Sequence, residues 1–204
     1  MKIPVVLNIG DKVVIFGGGK VAIRKVEYLS KFTKNISVIA EKANTLPKHV
    51  EFIKASITSK NILKFIPKNT ALVIAALSDS NINHEIAKWC NNHNILVNVV
   101  DDIEPSNVLF PALSKNNDLN ISISTSGKCP FLSRKLREDI DLWIEEKSRW
   151  LEILSPIREK LVGMDKKNQV LSKIYDNPEI QKLVKAGDIE NALKKAWEVF
   201  NVYR

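Results

Sequence analysis

Three small residues near the start of the chain, Gly17, Gly19 and Ala22, lie at the spacing G-x-G-x-x-A. They follow an unbroken apolar run at 13–16 and open a segment with helical periodicity at 21–29. The first small residue of such a pattern makes a tight turn, the second lets the backbone approach a pyrophosphate, and the third permits close packing of helix on strand. Free N–H groups at the start of the helix bind phosphate. The pattern therefore predicts a dinucleotide site.

An acidic residue follows the next predicted strand, where recognition of a ribose would require it. Glu41 comes directly after the segment 36–40, about 20 residues beyond the glycine loop. Its carboxylate can accept hydrogen bonds from the ribose hydroxyls, which favours NAD over NADP. The neighbouring Lys42 suits a 2′-phosphate, so NADP stays open at this point.

Two carboxylates, Asp101 and Asp102, follow the predicted strand 96–99. Ligands of open α/β sheets lie at the carboxyl ends of the strands, and an aspartate there can act as a general base beside a nicotinamide. The alternative is an aspartate that caps the next segment, because Asp is common in turns. The residue types alone leave both interpretations open.

A second candidate binding segment is a loop of small and hydroxyl-bearing residues that precedes a predicted helix. Its hydroxyls, its exposed N–H groups and its one cation suit a carboxylate or a phosphate. A plain helix cap is the alternative, and Arg134 and Arg137 in the following turns can extend an anion site or be solvated. The candidate substrate-binding residues are Ser124, Thr125, Ser126, Gly127 and Lys128.

The first 110 or so residues alternate strands with helices, which predicts a doubly wound α/β unit with a parallel sheet. We expect strands at 5–7, 13–16, 36–39, 51–54, 72–75 and 96–99. Helices are expected at 21–31, 60–65 and 81–92, with an N-cap at 79–81.

The pattern changes beyond Pro111. Residues 119–124 alternate apolar and polar side chains like a half-exposed strand, and an amphipathic helix is expected from about Pro130 to Lys147. Everything from Trp150 looks helical, with breaks near Gly163, 177–178 and 187–188, and the aromatic residues Trp143, Trp150, Trp197 and Phe200 are expected to pack this part. A lone strand has an unpaired edge, which pairing across a dimer would cover.

Composition limits the classes of protein that fit. A chain of 204 residues with 45% hydrophobic residues can build one full core and a smaller appendage. The net charge of +8 is spread without a basic block or interleaved aromatic residues, so we expect no nucleic-acid partner. A lysine-rich solvated surface explains the charge, and so does a polyanionic small substrate. Residues 1–4 lack the long apolar segment of a signal peptide, and no apolar run approaches the roughly 20 residues that span a bilayer, so we expect a cytoplasmic protein without a membrane partner.

The cysteines and histidines give no further site. Cys90 and Cys129 are far apart, and Cys90 is expected to pack on a helix. The three histidines share no spacing typical of metal ligands, so no metal site is predicted.

The segments GGGKVAIRK, AALSDSNIN, VNVVDD, FPAL and STSGKCPFLSRKLR occur here in the order seen in the siroheme-synthase type of precorrin-2 dehydrogenases. The chain resembles that family densely over about residues 3–140 and loosely in the helical tail. The resemblance implies oxidation of precorrin-2 to sirohydrochlorin, with NAD as the hydride acceptor. It also implies a homodimer with a Rossmann-type NAD-binding domain at 1–112, a dimerisation segment at 113–148 and a helical domain at 149–204. Some family members also insert Fe²⁺, and that activity stays open.

The resemblance also assigns residues. Gly17, Gly19, Lys20 and Val21 match the phosphate loop of the family, and Glu41 and Lys42 match positions that flank the adenosine ribose. Asp101 matches the aspartate implicated in both activities. Thr125 stands where some relatives have a phosphorylated serine, and Ser126 where they usually have glycine. Because bacterial fusion proteins continue into a methyltransferase beyond this point, we expect that activity to be absent.

Two other classes of protein account for part of the sequence. A non-catalytic NAD-sensing regulatory domain with a Rossmann core would explain the glycine loop and Glu41. Such a domain has no need of VNVVDD or of the loop 124–128. A nucleic-acid-binding protein is supported only by the charge.

Overall fold

The computed structural model describes residues 6–7, 9–100 and 102–203. The chain divides into two compact units, Met1–Phe110 and Pro111–Arg204. The finer division into a dimerisation segment at 113–148 and a helical domain at 149–204 stays a prediction.

The first unit is built on one parallel five-stranded sheet. Its strands are β1 (Lys12–Phe16), β2 (Ile36–Ala40), β3 (Glu51–Lys54), β4 (Thr70–Ala75) and β5 (Leu96–Val99). They lie side by side in the order β3-β2-β1-β4-β5. The chain winds outward from β1 in one direction and then from β4 in the other, so the strand order reverses between β1 and β4. The carboxyl ends of these two strands form the switch point at which such sheets bind ligands.

Helices cover both faces of this sheet, which explains why β1 is apolar from Val13 onward and why β2 is apolar apart from Ser37. The helices are α1 (Lys20–Leu29) and α2 (Ser80–Asn92). Ala22, Val26 and Leu29 of α1 pack into one buried cluster with strand residues, and Ile86 and Cys90 of α2 pack into another. The predicted α/β class with a parallel sheet is confirmed. Burial raises the pKa of Cys90 to about 12, as expected of a thiol that serves only in packing.

Two predictions at the edges of this unit are wrong. Val6 and Leu7 belong to no strand and are exposed, while Val5 lies outside the described residues. Only a short 3-10 helix, Ile62–Phe65, occurs where a helix was expected at 60–65. Pro67 follows closely and leaves no room for further turns.

The second unit begins with an antiparallel hairpin of β6 (Ala112–Asn116) and β7 (Leu119–Ile123). The two strands meet at a tight turn in which Asn117 takes a left-handed conformation with φ of 48°. The expectation of a lone strand at 119–124 is therefore wrong, because β7 pairs with β6 of the same chain. Only the first two residues of β6 are apolar, so its sequence lacks the alternation that reveals a strand.

The rest of the second unit is helical. Helix α3 (Pro130–Lys160) runs without interruption past the predicted end at Lys147 and contains Pro156. It is followed by α4 (Lys167–Tyr175), α5 (Pro178–Ala186) and α6 (Ile189–Val202), so the predicted breaks are confirmed. Trp150, Trp197 and Phe200 belong to the core of these helices. Trp143 does not, since it is 53% exposed on α3.

Within the described part of the chain, no helix is both long enough and apolar enough to cross a bilayer.

Candidate functional site

A cleft of about 670 Å³ opens where the strand order reverses. Its walls come from the loop after β1, the segment after β2, the residues that follow β3 and the segment after β4. The volume lies in the range of ligand sites in enzymes. Its lining includes Gly17, Gly19, Lys20, Val21, Glu41 and Lys42, so the structure brings all six predicted cofactor-binding residues together at one cleft.

The first glycine of the loop turns the chain sharply at the end of β1. Gly17 has a φ of 115°, which L side chains rarely adopt, and a Cβ there would lie 2.3 Å from the carbonyl oxygen of Ala76. Its N–H donates to the carbonyl oxygen of Ile39 at 2.9 Å. Glycine is therefore required at this position by both conformation and space.

The third glycine leaves room for an anion. Gly19 is the N-cap of α1, and within the described residues no side chain caps this helix and no atom lies within 4 Å of a Cβ built on Gly19. By contrast, Asp79 caps α2 by accepting from the N–H groups of Asn81 and Ile82. The uncapped first turn of α1, which includes Lys20 and Val21, presents N–H groups to the cleft, and these donors fit a pyrophosphate. Ala22 is 1% exposed, as close helix–strand packing requires.

The segment after β2 supplies the charged side chains of the cleft. Glu41 and Lys42 are exposed and line the same cleft as the phosphate loop. The carboxylate is therefore available to hydroxyl donors such as those of a ribose. Sequence reasoning did not single out Ser56, Ile57 and Ile82, which also line this space.

A buried amide holds the segment after β4 in place. Asn83 on α2 is 5% exposed. Its Oδ1 accepts from the N–H of Leu77 at 3.1 Å, and its Nδ2 donates to the carbonyl oxygen of Leu77 at 2.9 Å. Since Leu77 and Ser78 line the cleft, Asn83 fixes one wall from behind. The only signal in the sequence is an asparagine on the apolar face of a helix, which does not identify its partner.

The predicted catalytic residue, Asp101, lies outside the described residues. Its neighbour Val100 lines the cleft and donates its N–H to the carbonyl oxygen of Ala75 at 2.9 Å. On the other side, Asp102 Oδ2 lies 2.7 Å from His84 Nε2, and Asp102 Oδ1 accepts from the N–H of Glu104 at 3.1 Å. The second carboxylate of the pair is therefore engaged by α2 and by its own turn.

The loop at 124–128 belongs to the second unit, whereas the cleft belongs to the first. Its hydroxyls bond within the loop and the start of α3: Thr125 Oγ1 accepts from the N–H of Cys129 and from Ser133 Oγ, and Ser124 Oγ accepts from the N–H of Ser126. Ser126 and Gly127 both have positive φ, so two successive residues of this turn take left-handed conformations. These contacts stabilise the loop without capping α3, whose N-cap residue Cys129 makes no side-chain cap hydrogen bond, and a role in substrate binding stays a prediction.

The described residues contain no group of three or more His, Cys, Asp or Glu side chains arranged to hold a metal ion.

Comparison with known proteins agrees with the geometry of the cleft. Over 200 residues the chain is 32% identical to a siroheme synthase from Blochmanniella pennsylvanica, and over 206 residues it is 29% identical to one from Pseudoalteromonas translucida. These alignments cover 94% and 98% of this chain, so the resemblance noted in the sequence is confirmed. The chain spans only 42% and 43% of the length of these relatives.

A solved structure shares the fold. It is described as SirC, a precorrin-2 dehydrogenase, and it superposes with a TM-score of 0.70 at 22% identity, covering 95% of this chain and 100% of that one. The NAD(P)-binding family model NAD_binding_7 matches residues 6–112, which include the whole sheet and the glycine loop. The expected nicotinamide dinucleotide cofactor is thereby confirmed at the level of NAD(P), and the chain belongs to this NAD(P)-binding family.

Proposed function

We propose that the protein is an NAD-dependent precorrin-2 dehydrogenase, which oxidises precorrin-2 to sirohydrochlorin in sirohaem biosynthesis. The observation that carries the proposal is the cleft at the switch point, with an uncapped glycine loop at one wall and Glu41 at another. Similarity to siroheme synthases over nearly the whole chain supports the choice of substrate. The comparisons give no support to the alternative of a non-catalytic NAD-sensing domain.

Different residues are proposed to bind different parts of the cofactor. Gly17 shapes the turn, Gly19 leaves space for the pyrophosphate, and the N–H groups of Lys20 and Val21 lie in the first turn of α1 beside that space. Glu41 accepts hydrogen bonds from the adenosine ribose and repels a 2′-phosphate, which is the basis for proposing NAD. When bound, NAD⁺ supplies the acceptor for a hydride.

Asp101 is proposed to accept the proton that the substrate loses together with the hydride. Its place in the chain supports this role, since it follows Val100, which lines the cleft, and precedes Asp102, which α2 engages. A carboxylate held at a strand end beside the reacting carbon has the chemistry of a general base.

The substrate is proposed to interact with the loop 124–128. Precorrin-2 carries many carboxylates, and Lys128 together with the net charge of +8 favours its approach. Ser124, Thr125, Ser126 and Gly127 supply short donors to the same carboxylates.

A homodimer is also proposed. Because β7 pairs with β6 of the same chain, no lone strand needs a partner. Helix α3, however, carries a series of exposed large apolar side chains, of the kind that another copy would cover. These are Phe131, Leu132, Leu136, Leu142 and Trp143. A cytoplasmic location agrees with the free thiols of Cys90 and Cys129.

The direct test is anaerobic incubation of the protein with precorrin-2 and NAD⁺, with the absorption spectrum of the product followed over time. Formation of sirohydrochlorin that depends on NAD⁺ supports the proposal. Tight binding of NAD⁺ without any turnover of precorrin-2 would instead favour the sensing domain.

A further inference from the structure

The middle glycine of the loop, Gly18, stands at a position where the pattern G-x-G-x-x-A accepts any residue. A Cβ built on Gly18 would lie 1.9 Å from the carbonyl oxygen of Lys42 and 2.9 Å from the Cα of Ala43. The three nearest atoms it would meet all belong to the backbone, so the clash cannot be relieved by the movement of a flexible side chain. Gly18 does not have a φ in the left-handed region, and it is therefore space and not conformation that requires glycine here.

The loop is thus wedged between the segments that follow two different strands. On one side Gly17 lies against Ala76, after β4, and on the other side Gly18 lies against Lys42 and Ala43, after β2. The second of these segments carries Glu41. The distance between the phosphate loop and Glu41 is consequently set by a direct backbone contact at Gly18.

We propose that Gly18 is a specificity-determining residue for the cofactor, because it lets the backbone of residues 41–43 close onto the phosphate loop and so places Glu41 at the ribose of the same dinucleotide. The proposal rests on the proposed function, in which Glu41 selects NAD. It goes beyond the pattern G-x-G-x-x-A, in which only the first and third glycines and Ala22 have roles.

The size of the expected displacement follows from the contact distance. To change a separation of 1.9 Å into an ordinary contact of 3.4 Å, the segment must retreat by about 1.5 Å. A hydrogen bond of ordinary length does not survive such a shift, since a separation of about 3.6 Å is no longer a hydrogen bond.

The test compares the affinities for NAD⁺ and NADP⁺ by calorimetry in Gly18→Ala, Glu41→Ala and the double variant. We expect the ratio of the NADP⁺ to the NAD⁺ dissociation constant to fall about tenfold or more in each single variant, the scale of a lost hydrogen bond to a charged group. The double variant should show no further fall, because both changes remove the same interaction.

Gly19→Ala is the matched control in the same loop. Its Cβ enters open space in the protein alone, where it obstructs the pyrophosphate that both nucleotides share. It should weaken both by the same factor and leave the ratio unchanged. If Gly18→Ala does not fold, Ala43→Gly loosens the same backbone without adding an atom and should lower the ratio as well.

The outcomes separate this inference from the function on which it rests. A folded Gly18→Ala with an unchanged ratio, alongside a lowered ratio in Glu41→Ala, overturns the role of Gly18 alone. An unchanged ratio in Glu41→Ala overturns the selection of NAD by Glu41, and the role of Gly18 with it. A lowered ratio in Gly19→Ala would mean that any change in the loop alters selectivity, which also refutes a specific role for Gly18.

Discussion

Replacing Asn83 by alanine removes a side chain that binds both the N–H and the carbonyl oxygen of Leu77, at 3.1 and 2.9 Å. Each such hydrogen bond contributes about 0.5–1.5 kcal/mol, and a buried polar group left without a partner costs more. Because Leu77 is only partly buried, water can reach its freed groups in part. We therefore expect Asn83→Ala to lower the free energy of unfolding by about 1–3 kcal/mol.

The same change should weaken cofactor binding, although Asn83 is not among the residues that line the cleft. Without the two hydrogen bonds of Asn83, the wall at Leu77 and Ser78 samples other positions, and only the native position can bind the cofactor. If one molecule in about ten holds the competent arrangement, the apparent dissociation constant for NAD⁺ rises about tenfold. Calorimetry measures this affinity, and urea denaturation followed by circular dichroism measures the stability.

Asn81→Ala is the matched control, since it changes an exposed asparagine on the same helix and should alter stability by no more than about 0.5 kcal/mol. An Asn83→Ala protein that loses stability yet binds NAD⁺ like the wild type would refute the idea that the hydrogen bonds of Asn83 keep the cleft competent to bind. A protein unchanged in both respects would show that the two hydrogen bonds are replaced by water at no cost.

Three further predictions concern the proposed reaction and assembly. Asp101→Asn keeps the shape of the side chain but removes its basicity, so turnover of precorrin-2 should fall about 10²-fold or more while NAD⁺ binding survives; near-normal turnover would assign the proton to water or Asp102. Light scattering at micromolar concentration should report about twice the chain mass of 23.0 kDa, and Trp143→Asp should lower this value if α3 forms the interface, whereas a wild-type monomer would contradict the dimer. Insertion of Fe²⁺ into sirohydrochlorin should be weak or absent; anaerobic metallation well above the uncatalysed rate, and lost in Asp101→Asn, would show the protein to be bifunctional.

The parts of the structure that the sequence predicts are those in which residue type and spacing act locally. The apolar run at β1, the spacing of Gly17 and Gly19 and the position of Glu41 after β2 each depend on a few neighbours in the chain, and they identify the sheet and its cleft. The cap at Asp79 likewise depends on backbone groups two and three residues away.

The missed features depend on partners that are distant in sequence. Strand β6 is recognised only through its pairing with β7 and through Ser114, which is fully buried and donates to Asp141 on α3. Helix α3 continues through Pro156 because Ile153 and Ile157 on either side are fully buried in the helical core. This packing offsets the backbone hydrogen bond that a proline removes. Composition alone does not reveal such compensation.

A polar segment after β5 covers the edge of the sheet with two side chains, Ser106 and Asn107. As an edge strand, β5 would expose unpaired N–H groups, a liability in most sheets. Asn107 Oδ1 accepts from the N–H of Val97 at 2.6 Å, and Ser106 Oγ accepts from the N–H of Val99 at 2.9 Å, so two side chains take the place of a neighbouring strand.

The same segment also holds Asp102 in place. Ser106 Oγ donates to the carbonyl oxygen of Asp102 at 2.7 Å, while Val100 is bonded to β4 on the other side of Asp101. Val100 and Asp102, the described neighbours of the proposed base, are therefore each held by a hydrogen bond, one to β4 and one to Ser106. Because the N–H groups of Val97 and Val99 are already paired, a second copy cannot add a strand beside β5 without displacing Ser106 and Asn107. We therefore expect a dimer to form elsewhere, through the exposed apolar side chains of α3.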